Sequence, residues 1–220
     1  DGRGFWDIRV DVPAAPEGQR SPPARLRVES DLAGVRLDLP APLDKPASEP
    51  LATTVAAQLP MGAGRIDVAF GQRLALAARS HNNQTGVQVT LGSDHVDREP
   101  PPNGLSVNGR SPTLDALEWI SLARGGGDDD AMPLRAVDVQ VGQLKLIGGV
   151  FEQTRLQLHP GPQALDVRLD GPSLAGRLTV WRALGDAPAP TSLKRLCLIY
   201  AGLILVLLIA IMALMGAKPC

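Results

Sequence analysis

Residues 66–91, IDVAFGQRLALAARSHNNQTGVQVTL, decide the fold. Apolar residues recur at every second position: Ile66, Val68 and Phe70, then Leu74, Leu76 and Ala78, then Val87, Val89 and Leu91. A helix repeats its apolar side every three to four residues, whereas a period of two puts one set of side chains on one face of a strand. Gly and Asn residues fall between the runs, as turns require. The spacing predicts three half-buried strands in succession.

The pattern continues both ways. Upstream, Trp6, Ile8, Val10 and Val12 alternate with Asp7, Arg9 and Asp11; the period returns at Leu26–Val28 and at Val35, Leu37 and Leu39 against Arg36 and Asp38. Downstream it recurs at Leu105 and Val107, Val137 to Val141, Leu144 and Leu146, Leu156 and Leu158, Leu165 to Leu169, and Leu178 and Val180. With 23 Gly, 20 Pro and 3% aromatic residues, the composition suits many short strands joined by turns. The expected fold is mainly β: a long twisted antiparallel sheet, either an open groove or a β-sandwich-like closure. Asp, Arg, Gln and Glu occupy the alternate positions, so one face is wet and the other must be covered or left as a groove.

One internal segment reads as a helix. Leu114, Leu117 and Ile120 have helical spacing, Ser111-Pro112 begins it, and Gly125–Gly127 end it, giving Thr113–Arg124. The chain then divides into a β-rich segment 1–110, a short helix 111–124, a solvated Gly/Asp loop 125–136, a hairpin segment 137–180 and a linker 181–195. Residues Leu196–Ala217 follow, LCLIYAGLILVLLIAIMALMGA, with no charge inside. About 20 apolar residues cross a bilayer core as a helix. The twelve Leu, Ile and Val residues of the run are worth roughly −4 to −7 kcal/mol on the insertion scale. The expectation is one C-terminal transmembrane helix, with Lys194, Arg195 and Lys218 snorkelling at its ends. The chain starts with Asp and shows no apolar leader, so its natural start is expected to lie upstream.

Little here suggests chemistry. Net charge is −1, with no basic patch, which argues against nucleic acid as a partner. Both cysteines, Cys197 and Cys220, lie in or after the apolar run. His81, His95 and His159 are isolated, and no ligand pair has zinc spacing. Ser93-Asp94-His95-Val96-Asp97 and Asp128–Asp130 read as polar loops rather than metal sites, since the latter lacks the Gly and Glu of a calcium loop. No serine sits in a hydrolase elbow, and Gly125–Gly127 lack the lysine of a phosphate loop. We expect no enzyme, no metal and no cofactor.

Two blocks carry a resemblance. The first is Ser30-Asp31-Leu32-Ala33-Gly34 with Leu39-Pro40-Ala41-Pro42-Leu43-Asp44-Lys45; the second is Gly104-Leu105-Ser106-Val107-Asn108-Gly109 with Leu114-Asp115 and Trp119. Over about Asp1 to Val180 the chain resembles the YhdP group of AsmA-like bacterial envelope proteins. That resemblance implies long, curved sheets with an apolar groove, anchored in the inner membrane, that carry phospholipid towards the outer membrane. The family's membrane helix is usually N-terminal, whereas here the apolar run follows the Val180-Trp181 strand.

Two functions fit these readings. In one, the apolar alternates Val35, Leu37, Leu39, Ile66, Val68, Phe70, Val87, Val89 and Leu91 line a groove and contact acyl chains, since each methylene withdrawn from water gains ~0.8 kcal/mol. The partners are then phospholipid, the inner membrane, and outer-membrane or other envelope proteins. In the other, the body is a closed, membrane-anchored structural or binding module without lipid transport. The positive charges before the run favour a cytoplasmic body. The resemblance implies a periplasmic body on a single-pass inner-membrane anchor, and this is the orientation we expect.

Overall fold

The structure, a computed structural model, describes residues 4–14, 22–59, 64–82, 84–116, 118–119, 132–146, 148–162 and 164–181. Their alternating sequence forms eleven strands: β1 (Asp7–Asp11), β2 (Arg25–Ser30), β3 (Thr53–Gln58), β4 (Arg65–Phe70), β5 (Leu74–His81), β6 (Gln84–Leu91), β7 (Gly104–Asp115), β8 (Leu134–Leu146), β9 (Gly149–Pro160), β10 (Ala164–Asp170) and β11 (Gly176–Trp181). All eleven join one sheet, ordered as in the chain.

The sheet is mixed rather than antiparallel throughout. β7 runs parallel to both β6 and β8, and every other neighbour is antiparallel. A parallel pair needs a crossover of about a dozen residues or more. The segment 92–103 supplies the first, and it crosses the polar face. Pro101 passes so close to Gly86 that a Cβ there would lie 1.6 Å from the Pro101 carbonyl oxygen, so only glycine fits. Glu99 pairs with Arg65 at 3.4 Å on the same face.

Registers align the alternate residues into rows across the sheet. One row takes one residue from every strand: Ile8, Val28, Val55, Val68, Leu76, Val89, Val107, Val137, Leu158, Val167 and Leu178. Every member is aliphatic. Within this sheet a slip of one residue in any strand would turn its apolar set to the other face, so the row also fixes the register. Towards one end of the long strands, Pro112, Gly142 and Gln153 fall opposite one another between paired positions, and Gln153 has φ +48°. Burial changes phase there, from Val137, Val139 and Val141 to Leu144.

Two expectations need correction. Val35, Leu37 and Leu39 are not a strand; residues 31–52 form a lobe, in which Leu37 makes a single bridge with Lys45. Pro40, Pro42 and Pro46 remove the donors a ladder would need. The helix expected over Thr113–Arg124 begins later, because Thr113–Asp115 extend β7 beside β8. Ala116, Glu118 and Trp119 are helical, and the Asp115 carboxylate caps them by accepting the Glu118 N–H at 2.9 Å. No full helix is present among the described residues, and none there is long and apolar enough to cross a membrane. The rest of the expected helix, most of the Gly/Asp loop, nearly all of the linker and the Leu196–Ala217 run lie outside them; Leu134–Ala136 belong to β8 rather than to that loop.

Candidate functional site

The apolar face is the candidate site, and its cover is uneven. The lobe begins where Ser30 ends β2. The Ser30 hydroxyl donates to the Phe5 carbonyl at 2.7 Å and accepts the Leu32 N–H at 3.1 Å. The Asp31 carboxylate accepts the Ala33 N–H at 3.0 Å, a turn that short polar side chains favour. Leu32 then takes φ +48°, a left-handed conformation uncommon for such a residue, and Gly34 takes φ +80°. The lobe closes at its neck, where the Leu51 N–H donates to the Asp31 carbonyl at 2.6 Å.

Lys45 holds the lobe together from inside. It is buried, and its ammonium donates to the carbonyls of Val35, Pro46 and Glu49 at 2.5, 3.1 and 2.6 Å. All three ammonium protons are thereby used. Burial lowers the Lys45 pKa from its ordinary value, against the opposing pull of the Glu49 carboxylate. Two side chains from elsewhere tie the lobe down. Arg73, in the β4–β5 turn, donates to the carbonyls of Pro42 and Asp44 at 3.2 and 2.6 Å and pairs with Glu49. Trp119 donates its indole N–H to the Ala41 carbonyl at 2.8 Å. The two sequence blocks singled out above, far apart in the chain, thus meet over the middle of the sheet.

The nine expected contact residues converge on one apolar cluster, but from two layers. Ile66, Val68, Phe70, Val87, Val89 and Leu91 rise from β4 and β6, whereas Val35, Leu37 and Leu39 come down from the lobe. Leu37, Val68, Phe70, Val87, Val89 and Leu91 are buried, and Val35, Leu39 and Ile66 are half-buried. Leu32 and Leu43 of the lobe and Val87 beneath it are 0% exposed. The middle of the row is roofed.

The ends are open. On β1, Ile8 and Val10 are 63% and 54% exposed, and Val12 just beyond is 76% exposed; on β11, Leu178 is 60% exposed. These residues share the apolar face, since Ile8 and Leu178 are the two ends of the aliphatic row. Alternation at β1 and β11 was visible in the sequence, but it could not show that they are the outermost of the described strands.

The opposite face is charged and paired. Arg155 donates twice to Asp138, at 2.8 and 2.7 Å, and holds that carboxyl below its ordinary pKa. Asp166 is lowered by the Thr179 hydroxyl first and by Arg177 next. In the β6–β7 crossover, the His95 ring contacts Asp94 at 2.7 Å and Asp97 at 2.9 Å. The Asp94 contact raises its pKa most. With both ring nitrogens on carboxylates, neither offers a lone pair to a metal. Among the described residues no group of three or more His, Cys, Asp or Glu side chains is placed to hold a metal; Asp128–Asp130 lie outside them.

A family model described as YhdP protein matches residues 1–202. The chain belongs to the YhdP family. The match runs past Val180 and into the apolar run, so the family extends further along this chain than the two sequence blocks indicated. YhdP proteins are envelope-associated members of the AsmA-like group. No curated protein and no solved structure matches the chain.

Proposed function

We propose that this YhdP-family chain is a section of a bacterial envelope protein that carries phospholipid, its acyl tails lying along the aliphatic row. One observation carries the reading: each of the eleven described strands contributes an aliphatic residue to one row, from β1 to β11. At ~4.8 Å per strand spacing the row spans roughly 48 Å. A tail filling half of a ~30 Å hydrocarbon core reaches about 15 Å, so the row is about three tails long. Tails need only apolar surface, and headgroups need only water beside it. The contact residues then begin with Ile8, Val10, Val12 and Leu178, with the six buried residues of the nine reached only when the lobe is displaced.

The apolar run Leu196–Ala217 anchors the chain in the inner membrane by a single pass, with the body in the periplasm. Other envelope proteins would receive or supply the lipid. Neither role calls for an enzyme or a cofactor.

A second reading is favoured by the roof itself: with six of the nine inner residues buried, the middle packs as a closed module that binds or scaffolds without lipid. Mass spectrometry of the purified 220-residue chain separates the two. Stoichiometric phospholipid is expected; a lipid-free preparation with the same fold overturns the conduit.

A further inference from the structure

Antiparallel neighbours such as β2 and β3 need only a tight turn of two to five residues between them. Here the connection is the whole of residues 31–52, and its construction is unlike that of a core layer. Its polar bonds are mostly internal. Leu37 and Lys45 exchange both backbone hydrogen bonds at 3.0 and 3.1 Å, the Gly34 N–H reaches the Ala47 carbonyl at 2.9 Å, and the Lys45 ammonium takes three lobe carbonyls. A loop whose neck is closed and whose interior is self-bonded behaves as one body. Apart from the Gly71 N–H, which donates to the Ala52 carbonyl at 2.6 Å beside the neck, it rests against the sheet on apolar contact, which has no directional preference and which an acyl chain can replace. Its tip is held by the side chains of Arg73 and Trp119 alone among the described residues.

The hinge is equally distinctive. Leu32, next to the neck, is fully buried in a left-handed conformation. Residues persist in such regions only when their surroundings hold them there, and the strain is released when those surroundings leave.

We propose that residues 31–52 are a lid that swings as a unit over the aliphatic row, latched by Arg73 and Trp119. This rests on the lipid-carrying reading and adds its regulation: latched, the apolar residues beneath the lobe are covered; unlatched, they join the exposed part of the row on β1.

The test uses the full chain with Cys197 and Cys220 replaced by Ser and a single reporter, Val89→Cys, whose position is buried in the roofed middle. Thiol labelling is timed with the latches intact and with Trp119→Phe plus Arg73→Met, which keep the ring and the aliphatic stem but remove the donors. Labelling is expected to rise roughly tenfold for each latch lost. The rise should hardly depend on low urea, as local opening exposes little surface. An unchanged rate overturns the lid, as does labelling that climbs steeply with urea, which reports global unfolding. Vesicles of phosphatidylethanolamine and phosphatidylglycerol then report on the reading beneath. If the unlatched chain labels fast and the vesicles slow it, both stand. If it labels fast and no lipid is ever retained, the lid moves but the conduit reading fails. Single Trp119→Phe, which changes least, keeps the test usable if the double variant does not fold.

Discussion

The middle and the edges of this sheet are made from the same row of aliphatic side chains, yet one is sealed and the other is bare. Val68, Leu76 and Val89 are buried, whereas Ile8 and Leu178 on the same row are more than half exposed. The strands do not cause the difference; their connections do. β9, β10 and β11 are joined by short connections, while the long connection after β2 doubles back over the apolar face. Cover is therefore supplied by connections, the lobe and the Trp119 turn among them, and not by the strands themselves.

The largest expected effect breaks the sealed region. Leu43→Ala, at a fully buried lobe position, is expected to destabilise by about 2–5 kcal/mol in urea unfolding. Leu178→Ala at the open end should change stability by roughly 0.5 kcal/mol or less. Equal effects at the two positions would erase the contrast between them. Lys45→Met comes next. It leaves three lobe carbonyls without their donor and is expected to cost about 1–3 kcal/mol, read as a lower urea midpoint with an unchanged slope.

The charged face sharpens the comparison by pH. Asp138 and Asp166 have lowered folded-state values, so their contribution is present above the ordinary carboxylate pKa of 3.8 and is lost as pH falls through the folded value beneath it. Asp138→Asn should flatten the acid limb of the urea midpoint below about pH 4. The smallest effect belongs to His95, whose value is raised. Its contribution is full below its ordinary 6.5 and disappears as pH rises through the folded value above that. His95→Gln should remove a slight loss of stability around neutrality, measured by thermal unfolding across that range.

Much of this sheet was legible because alternation is a local signal. Ile66–Leu91 and Leu156–Leu178 show their strands without reference to anything distant. The lobe was misread for the same reason. Val35, Leu37 and Leu39 do alternate with exposed Arg36 and Asp38, and the segment is extended, but a period of two reports an extended chain and not a ladder. The three prolines around it were the contrary signal. The parallel pairs were hidden because neighbour direction depends on where the crossover lands, which no residue of β6 or β7 encodes. The start of the helical turn lay with Asp115, a better cap than Ser111-Pro112, whose proline falls at an unpaired position inside β7. Of the nine residues read as one lining, six lie on β4 and β6 and three in the lobe above them, because alternation cannot distinguish a strand of the sheet from an extended segment packed over it.

The central claim is that lipid meets this chain on the apolar face, at the exposed members of its aliphatic row. Photo-crosslinking in cells tests it most directly, with a benzophenone side chain placed in turn at Ile8, Arg9, Arg177 and Leu178. Neighbours in a strand point to opposite faces, so phospholipid adducts are predicted at Ile8 and Leu178 and not at Arg9 or Arg177. Adducts on both faces alike, or none at either aliphatic position, would contradict the account.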